Sequence, residues 1–350
     1  MLTALGIVLA QTLASVPQQV IVHNDLPFAR ASETVEVPAS QLTGELSRIH
    51  VFEHGSDEEV LAQALSDRLI FQTDIPANGE QTFDLRPGEP HRYKKEDFRV
   101  YGRFVRERFD DFAWENDRIA HRVYGAALET SEKEPLTSSA IDVWLKKTRR
   151  LVVNDWYMVD DYHHDHGQGG DFYSAGKSLG CGGVGLWRDG HLVVSKNFRN
   201  SRVLAAGPIQ LIFELEYPGF ETKRVTLDAG QNSNRFESRF SDTTGPYVAA
   251  MKKFANTELR VERTSGWMRA WGPVGGGSGH FACTLVFDPA AVENVTEADR
   301  NHVMIARQPA LYYVGTAWDQ AGDFATVADW DRYVEQWTQR IKSPQRVEVK

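Results

Sequence analysis

Most of this 350-residue chain alternates apolar and polar residues with a period of two, which is the pattern of half-buried β-strands. In residues 209–217, four apolar side chains share one face of a strand and three polar side chains share the other. The apolar set is Ile209, Leu211, Phe213 and Leu215, and the polar set is Gln210, Glu214 and Glu216. Eight further segments of this kind are 19–26, 33–40, 112–125, 191–199, 222–230, 234–241, 282–289 and 309–318. Turn-forming residues separate them, so we predict an all-β protein with antiparallel sheets packed face to face.

Few segments have a helical pattern. In residues 327–341, apolar residues recur at spacings of three and four and predict one amphipathic helix, which Pro344 follows. Residues 58–69 fit a short helix or a strand equally well. No repeat or Pro-rich linker divides the chain, so we expect a single domain over residues 18–350.

The first 17 residues are apolar from Leu2 to Leu13 and end in small residues, which indicates the remnant of a signal peptide. The run is too short to span a membrane. We therefore expect a periplasmic or secreted protein. Its two cysteines, Cys181 and Cys283, either form a disulfide after export or remain free thiols, and their spacing does not decide between these.

The net charge is −9, which argues against a nucleic acid partner because phosphate binding needs a basic surface. Nine Trp, eleven Tyr and eighteen Phe make the chain fairly aromatic, and aromatic rings are also suited to stacking on sugars.

The segment 157–183 concentrates ionisable side chains among seven glycines. It contains three histidines, His163, His164 and His166, and four aspartates. A buried strand would not tolerate so many unpaired charges, so we expect an ordered, non-helical loop lining a polar cleft. Gly167, together with the glycines at 169 and 170, allows it to turn sharply.

Three uses of the histidines remain open. Proton transfer by His and Tyr suits a polar cleft, because imidazole titrates near neutral pH. A divalent metal is possible on His163, His164 and His166, although their spacing is far less specific than that of an established zinc motif. The third interpretation is that the three histidines are solvated loop residues with no chemical role.

Residues 112–125 form the second polar segment. In one extended strand, Trp114, Arg118, Arg122 and Tyr124 share a face and His121 lies on the other. Two arginines on one face suit a carboxylated or sulfated ligand, although a ladder of structural ion pairs fits equally well.

Lys177 and Lys196 are further candidates for binding an anion. Lys177 lies in a sequence, 176–183, that lacks the full spacing of a phosphate-binding loop, so we reject nucleotide binding.

Four blocks together resemble a bacterial family that includes ulvan-oligosaccharide dehydratases. They are residues 112–125, 138–157, 162–183 and 221–238. The resemblance implies an exported carbohydrate-active protein with a galactose-mutarotase-like fold, a large antiparallel β-supersandwich with few short helices. It further implies action on the unsaturated uronic acid that a polysaccharide lyase leaves at the non-reducing end of an acidic oligosaccharide.

Residue chemistry suggests a role for each candidate. His121 and His164 form the predicted acid–base pair, with Tyr173 or Tyr157 as a second proton donor. Arg118 and Arg122 would bind the sugar carboxylate, and Trp114 or Trp156 would stack on a sugar ring. His166 and Asp171 would orient a catalytic imidazole. The reaction requires no redox cofactor.

Two other functions remain open. A sugar epimerase or mutarotase would share the implied fold and use Glu214 or Asp171 with a histidine. A non-catalytic periplasmic glycan-binding protein would bind its ligand through aromatic residues and would catalyse no reaction.

Overall fold

The computed structural model describes residues 18–132, 136–137 and 139–350, so the expected signal-peptide remnant at 1–17 lies outside the described residues. The alternating segments form antiparallel sheets, which confirms the prediction of an all-β protein with few helices. The division into one domain stays a prediction.

The N-terminal sandwich contains a strand at residues 346–349 and the first seven strands of the chain. Those seven are β1 (Gln18–Asn24), β2 (Arg30–Pro38), β3 (Ile49–Glu53), β4 (Glu59–Val60), β5 (Ala62–Ala64), β6 (Arg68–Ile75) and β7 (Gly79–Pro87). Residues 58–69, which fitted helix or strand, thus supply β4 and β5.

The next seven strands contribute to two five-stranded sheets. They are β8 (Val100–Val105), β9 (Asp111–Asn116), β10 (Ala120–Val123), β11 (Ile141–Lys146), β12 (Gly169–Gly170), β13 (Cys181–Arg188) and β14 (His191–Val193). Helix α1 (Val153–Val159) lies between β11 and β12. It corrects the expectation that 157–183 is wholly non-helical, because Tyr157 belongs to this helix.

The remaining elements complete the main sandwich, except for the last strand, which belongs to the N-terminal sandwich. They are β15 (Asn200–Ala206), β16 (Gln210–Tyr217), β17 (Glu221–Asp228), β18 (Ser233–Phe240), β19 (Tyr247–Lys252), β20 (Glu258–Glu262), β21 (Trp267–Pro273), β22 (His280–Phe287), β23 (Val292–Ala298), β24 (Asn301–Ala306), β25 (Ala310–Trp318), helix α2 (Val327–Lys342) and β26 (Arg346–Val349). Short 3₁₀ turns occupy Ala39–Gln41, Leu46–Arg48, Lys95–Asp97, Ala126–Thr130 and Gly275–Gly277.

Strand order defines the layers of the main sandwich. One layer is the eight-stranded sheet β15-β16-β17-β18-β25-β22-β21-β20. Two five-stranded sheets, β12-β11-β10-β9-β8 and β14-β13-β19-β24-β23, contribute to the facing side of the same apolar core. The inward face of β16 carries Leu211, Phe213 and Leu215, as their alternation predicted, and all three are fully buried. A disulfide between Cys181 and Cys283 joins β13 to β22 with a Cα–Cα distance of 5.8 Å, which settles the redox question left open by the sequence.

The N-terminal sandwich has its own apolar core between sheets β26-β1-β7-β3-β4 and β2-β6-β5. Phe71 and Phe83 meet there edge to face, with their ring centroids 4.8 Å apart.

Helix α2 confirms the prediction for residues 327–341. It packs Trp330, Val334 and Trp337 on the outer face of the eight-stranded sheet. Thr326 begins the helix with a capping box, since its hydroxyl accepts from the backbone N–H of Asp329. Within the described part of the chain, no helix is long and apolar enough to cross a membrane.

Candidate functional site

The predicted strand 112–125 is a hairpin of β9 and β10. The side chain of Asn116 accepts hydrogen bonds from the backbone N–H groups of Arg118 and Ile119, both at 2.8 Å, and this bends the chain. His121 then pairs with Trp114 across the hairpin, and the two share a face. Arg122 faces the opposite side. The prediction that Trp114 and Arg122 share a face was therefore wrong.

His121 lies in the core of the main sandwich. Its ring stacks on Trp114 with centroids 5.3 Å apart, and neither ring nitrogen hydrogen bonds to a described residue. Burial lowers its pKa to about 3, so the ring is neutral at physiological pH. Because His121 and Trp114 are 1% and 0% exposed, they are not placed to touch a sugar.

On the other face of the hairpin, Arg122 is surrounded by three carboxylates. It donates to Asp142 at 2.9 Å from Nε and to Asp171 at 3.0 Å from Nη2, and Asp111 lies 3.7 Å from Nη1. We call these four residues the Arg122 centre. All four are buried, and they come from β9, β10, β11 and the glycine-rich loop. One guanidinium thus fixes the loop to three strands.

The Arg122 centre has three carboxylates and one cation, and two of the carboxylates have raised pKa values. Burial raises the pKa of Asp111 to about 6, although Arg122 opposes that rise. Burial likewise raises the pKa of Asp142, again opposed by Arg122. Three buried charges of one sign next to a single cation favour retention of a proton.

Helix α1 and the residues after it cover this face with aromatic rings. Arg122 lies 5.2 Å from the ring centroid of Trp144 and 5.6 Å from that of Tyr162. Trp156 and Tyr157 pack against Trp144 in the same cluster. The sequence assigned Trp156 to sugar stacking and Tyr157 to proton donation, but both are buried in this layer. Burial also raises the pKa of Tyr157 well above its usual value.

His163 stands at the solvent edge of the Arg122 centre. Its Nδ1 lies 3.1 Å from the backbone carbonyl of Asp171 and 3.7 Å from an oxygen of that carboxylate. A carbonyl only accepts, so Nδ1 carries the proton and the lone pair of neutral His163 is on Nε2. The side chain is 64% exposed, whereas that of Asp171 is 4% exposed. An accessible imidazole is thus oriented by a residue that the protein interior holds fixed.

Tyr162 and Arg108 adjoin this imidazole. The rings of Tyr162 and His163 have centroids 4.8 Å apart, and Arg108 Nε donates to the Tyr162 hydroxyl at 2.7 Å. The Nη groups of Arg108 make no hydrogen bond with described residues. We call His163, Tyr162 and Arg108 the His163 face. It combines a base nitrogen and a guanidinium with the phenol of Tyr162, a residue that is 4% exposed.

His164 and His166 point elsewhere. Both contact Asp161, through His164 Nδ1 at 2.5 Å and His166 Nε2 at 3.0 Å. Their side chains are 77% and 56% exposed. Since His163 turns to Asp171 instead, the three histidines do not converge as the metal hypothesis required. Nor do His121 and His164 meet as an acid–base pair, because one is in the core and the other on the surface.

The other predicted residues are dispersed. Arg118 pairs with Asp323 at 2.6 Å, and Arg149 shares that carboxylate. Tyr173 is buried against Phe281, and burial raises its pKa well above the usual value. Arg118 and Arg122 therefore do not form the predicted carboxylate clamp, and Tyr173 is not exposed to a substrate.

Both predicted lysines are exposed. Lys196 lines a cavity of about 280 Å³ beside Arg199 and Tyr217, whereas Lys177 lies on the glycine-rich loop. Two further cavities, of about 610 and 420 Å³, are lined by none of the predicted site residues.

Sequence reasoning singled out Arg122 and Asp171 in separate roles, without pairing them, and missed the rest of the site. Asp111, Asp142, Tyr162 and Arg108 were not singled out. His163 was named individually only as a candidate metal ligand, although proton transfer was considered for the histidines as a group. The Asn116–Asp117 turn signal would have revealed the hairpin.

Comparison with known proteins gives a family and a fold. Residues 22–347 match the model of a family described as a domain of unknown function, DUF4861. A Formosa agariphila protein named uncharacterized protein P7 is 29% identical over 376 residues, covering 94% of this chain and 93% of its own.

Two solved structures from Enterococcus faecalis share the fold at 9% sequence identity. One is a protein in glycosyl hydrolase family 38, with a TM-score of 0.51, and the other is an alpha-mannosidase, with a TM-score of 0.52. Each match covers 95% of this chain but only 47% and 46% of those chains, so this chain spans about half their length. The family match, over nearly the whole chain, shows that the chain belongs to the DUF4861 family.

Proposed function

We propose that the protein is a carbohydrate-active dehydratase that removes water from the unsaturated uronyl end of an acidic oligosaccharide at the His163 face. The observation that carries the proposal is the geometry of His163. Its exposed Nε2 is fixed in orientation through Asp171, which Arg122 holds from the interior.

Two other observations support a sugar substrate. Four sequence blocks resemble ulvan-oligosaccharide dehydratases, and three of them supply most of the Arg122 centre and the His163 face. The structures with the same fold are named as a glycosyl hydrolase family 38 protein and an alpha-mannosidase.

The chemistry is an elimination in which every atom is accounted for. His163 Nε2 takes a proton from a sugar carbon whose acidity the conjugated carboxylate increases. The C–H electron pair forms a new C=C bond, and the C–O bond of a hydroxyl breaks. Solvent water protonates that hydroxyl, which leaves as water, and His163 then releases its proton to solvent. The reaction is redox-neutral, so no redox cofactor enters the balance.

Charge around this face favours the transition state. The Arg108 Nε–H group donates to the Tyr162 hydroxyl, and this hydrogen bond orients the guanidinium. The Nη groups of Arg108 would bind the uronate carboxylate, a role that the sequence gave to Arg118 and Arg122. The Asp171 carboxylate, 3.7 Å from Nδ1, stabilises the imidazolium. Asp171 and Arg122 are therefore positioning residues.

We also infer that the protein works in the periplasm or outside the cell. The Cys181–Cys283 disulfide supports this, because such bonds persist in oxidising compartments.

The test is mass spectrometry of lyase-generated uronate oligosaccharides before and after incubation with the protein. We expect the loss of one water, and we expect His163→Ala to lower kcat about 100-fold or more, as loss of a general base does. His280→Ala is the matched control, because His280 is also exposed and contacts an aspartate, Asp319, at 3.1 Å.

Other outcomes would point to other functions. Anomer interconversion without mass change would favour an epimerase or mutarotase. Binding without any product would favour a glycan-binding protein. Equal activity of His163→Ala and the wild type would refute the assignment of the base.

A further inference from the structure

A second cluster of potential ligands lies in the N-terminal sandwich. His50 is in β3, Glu59 is in the adjacent β4, and His91 follows β7. One ligand atom from each lies within 4.8 Å of the other two. None of them belongs to the Arg122 centre or the His163 face.

Hydrogen bonds orient both imidazoles in the same way. His50 Nε2 lies 2.8 Å from the carbonyl of Glu89, and His91 Nε2 lies 2.9 Å from the carbonyl of Ile49. Because carbonyls only accept, both Nε2 atoms carry protons, and neutral rings therefore have their lone pairs on Nδ1. Backbone carbonyls fix metal-binding histidines in just this manner.

His50 and Glu59 already present their ligand atoms to each other. Nδ1 of His50 lies 2.6 Å from Oε1 of Glu59, a hydrogen-bond distance, so a proton lies between the two atoms in the metal-free site. A bound metal ion would replace that proton and separate the two atoms.

The environment of the two rings suits a ligand pair. Tyr93 stacks on His91 at 5.8 Å, and the rings of His50 and His91 are 4.5 Å apart. A Cβ on Gly88 would lie 2.6 Å from the His50 ring, so only glycine leaves room for that ring.

We propose that His50, His91 and Glu59 bind a zinc ion, with water as the fourth ligand. Imidazole and carboxylate are usual zinc ligands. A tetrahedral zinc ion holds its ligand atoms about 3.3 Å apart, so the widest ligand separation must close by about 1.5 Å at most, and the 2.6 Å contact between His50 and Glu59 must open by about 0.7 Å. The ion links β3, β4 and the segment after β7, and we assign it a structural role because it lies apart from the proposed reaction.

The test uses the full chain, dialysed against a chelator and titrated with zinc chloride in a calorimeter. We expect one zinc ion per chain, release of a proton on binding and a higher unfolding temperature in the presence of zinc. Cobalt(II) should give the absorption spectrum of a tetrahedral site.

Variants separate this site from other histidines. His50→Ala and His91→Ala should each weaken zinc binding on the order of 100-fold. His54→Ala is the control, since His54 also contacts a carboxylate in the same sandwich, that of Asp84 at 2.9 Å. Circular dichroism of the metal-free proteins checks that each variant folds. No binding by the folded wild type, or unchanged binding by folded His50→Ala and His91→Ala, would overturn the proposal.

Discussion

Two aspartates of one glycine-rich loop each contact basic side chains, but in opposite surroundings. Asp171 is held by Arg122 in the interior, whereas Asp161 contacts His164 and His166 on the surface. The distances are similar, because Asp171 lies 3.0 Å from Arg122, and Asp161 lies 2.5 Å from His164 and 3.0 Å from His166. A buried pair depends on having every partner present, whereas a solvated pair is screened by water. The comparison therefore teaches that burial, rather than distance, decides which end of the loop is fixed.

The largest expected effect is on the buried end. Arg122→Met leaves three carboxylates without their cation, so the free energy of unfolding should fall by about 3–5 kcal/mol. Urea unfolding measures this change. Arg150→Met is the control, because Arg150 is 71% exposed and lies 3.7 Å from Asp155. Similar losses in both variants would contradict the comparison.

A smaller effect is expected in how the free energy of unfolding depends on pH, because Asp111 is buried in the Arg122 centre. The Asp111 pKa is raised from 3.8 to about 6, so the native state binds this proton more tightly than the unfolded state. The free energy of unfolding should consequently fall as pH rises from 3.8 to about 6, by about 3 kcal/mol in total.

Asp111→Asn should remove that part of the slope, while Asp142 contributes a slope of the same sign in both proteins. Unfolding curves across this pH range measure the difference between variant and wild type. Asp57→Asn should leave the slope unchanged, because Asp57 is 98% exposed. A slope equally steep in Asp111→Asn would show that Asp111 is ionised throughout.

The smallest effect is expected at the exposed end of the loop. Asp161→Asn removes a carboxylate whose pKa is lowered by hydrogen bonds from His164 and then His166. Because water screens this contact, the unfolding midpoint and the activity should both match the wild type. A marked loss of activity with an unchanged unfolding midpoint would show that His164 or His166 takes part in the reaction.

Local patterns predicted the fold where burial follows a simple period. The alternation in β16 gave its buried face, and the three–four spacing gave α2 nearly to its last residue. The segment 112–125 was harder, because its alternation continues through a turn that depends on the side chain of Asn116.

The site was less predictable because its contacts join distant parts of the chain. Asp111, Asp142 and Asp171 meet Arg122 only through the register of β9, β10 and β11. His163 and His164 are neighbours in sequence, and nothing local shows that one turns to Asp171 and the other to Asp161. Whether His121 faces a cleft or the core likewise depended on the hairpin.

The pairing of β1 with β26 has a consequence for biosynthesis. Gln19 and Lys350 exchange two backbone hydrogen bonds of 2.9 Å, so the first described strand is covered by the last. On the ribosome, residues 18–87 emerge long before their final neighbour. Until residues 346–349 leave the exit tunnel, one side of β1 presents unpaired amides and carbonyls, a template for association with other nascent chains.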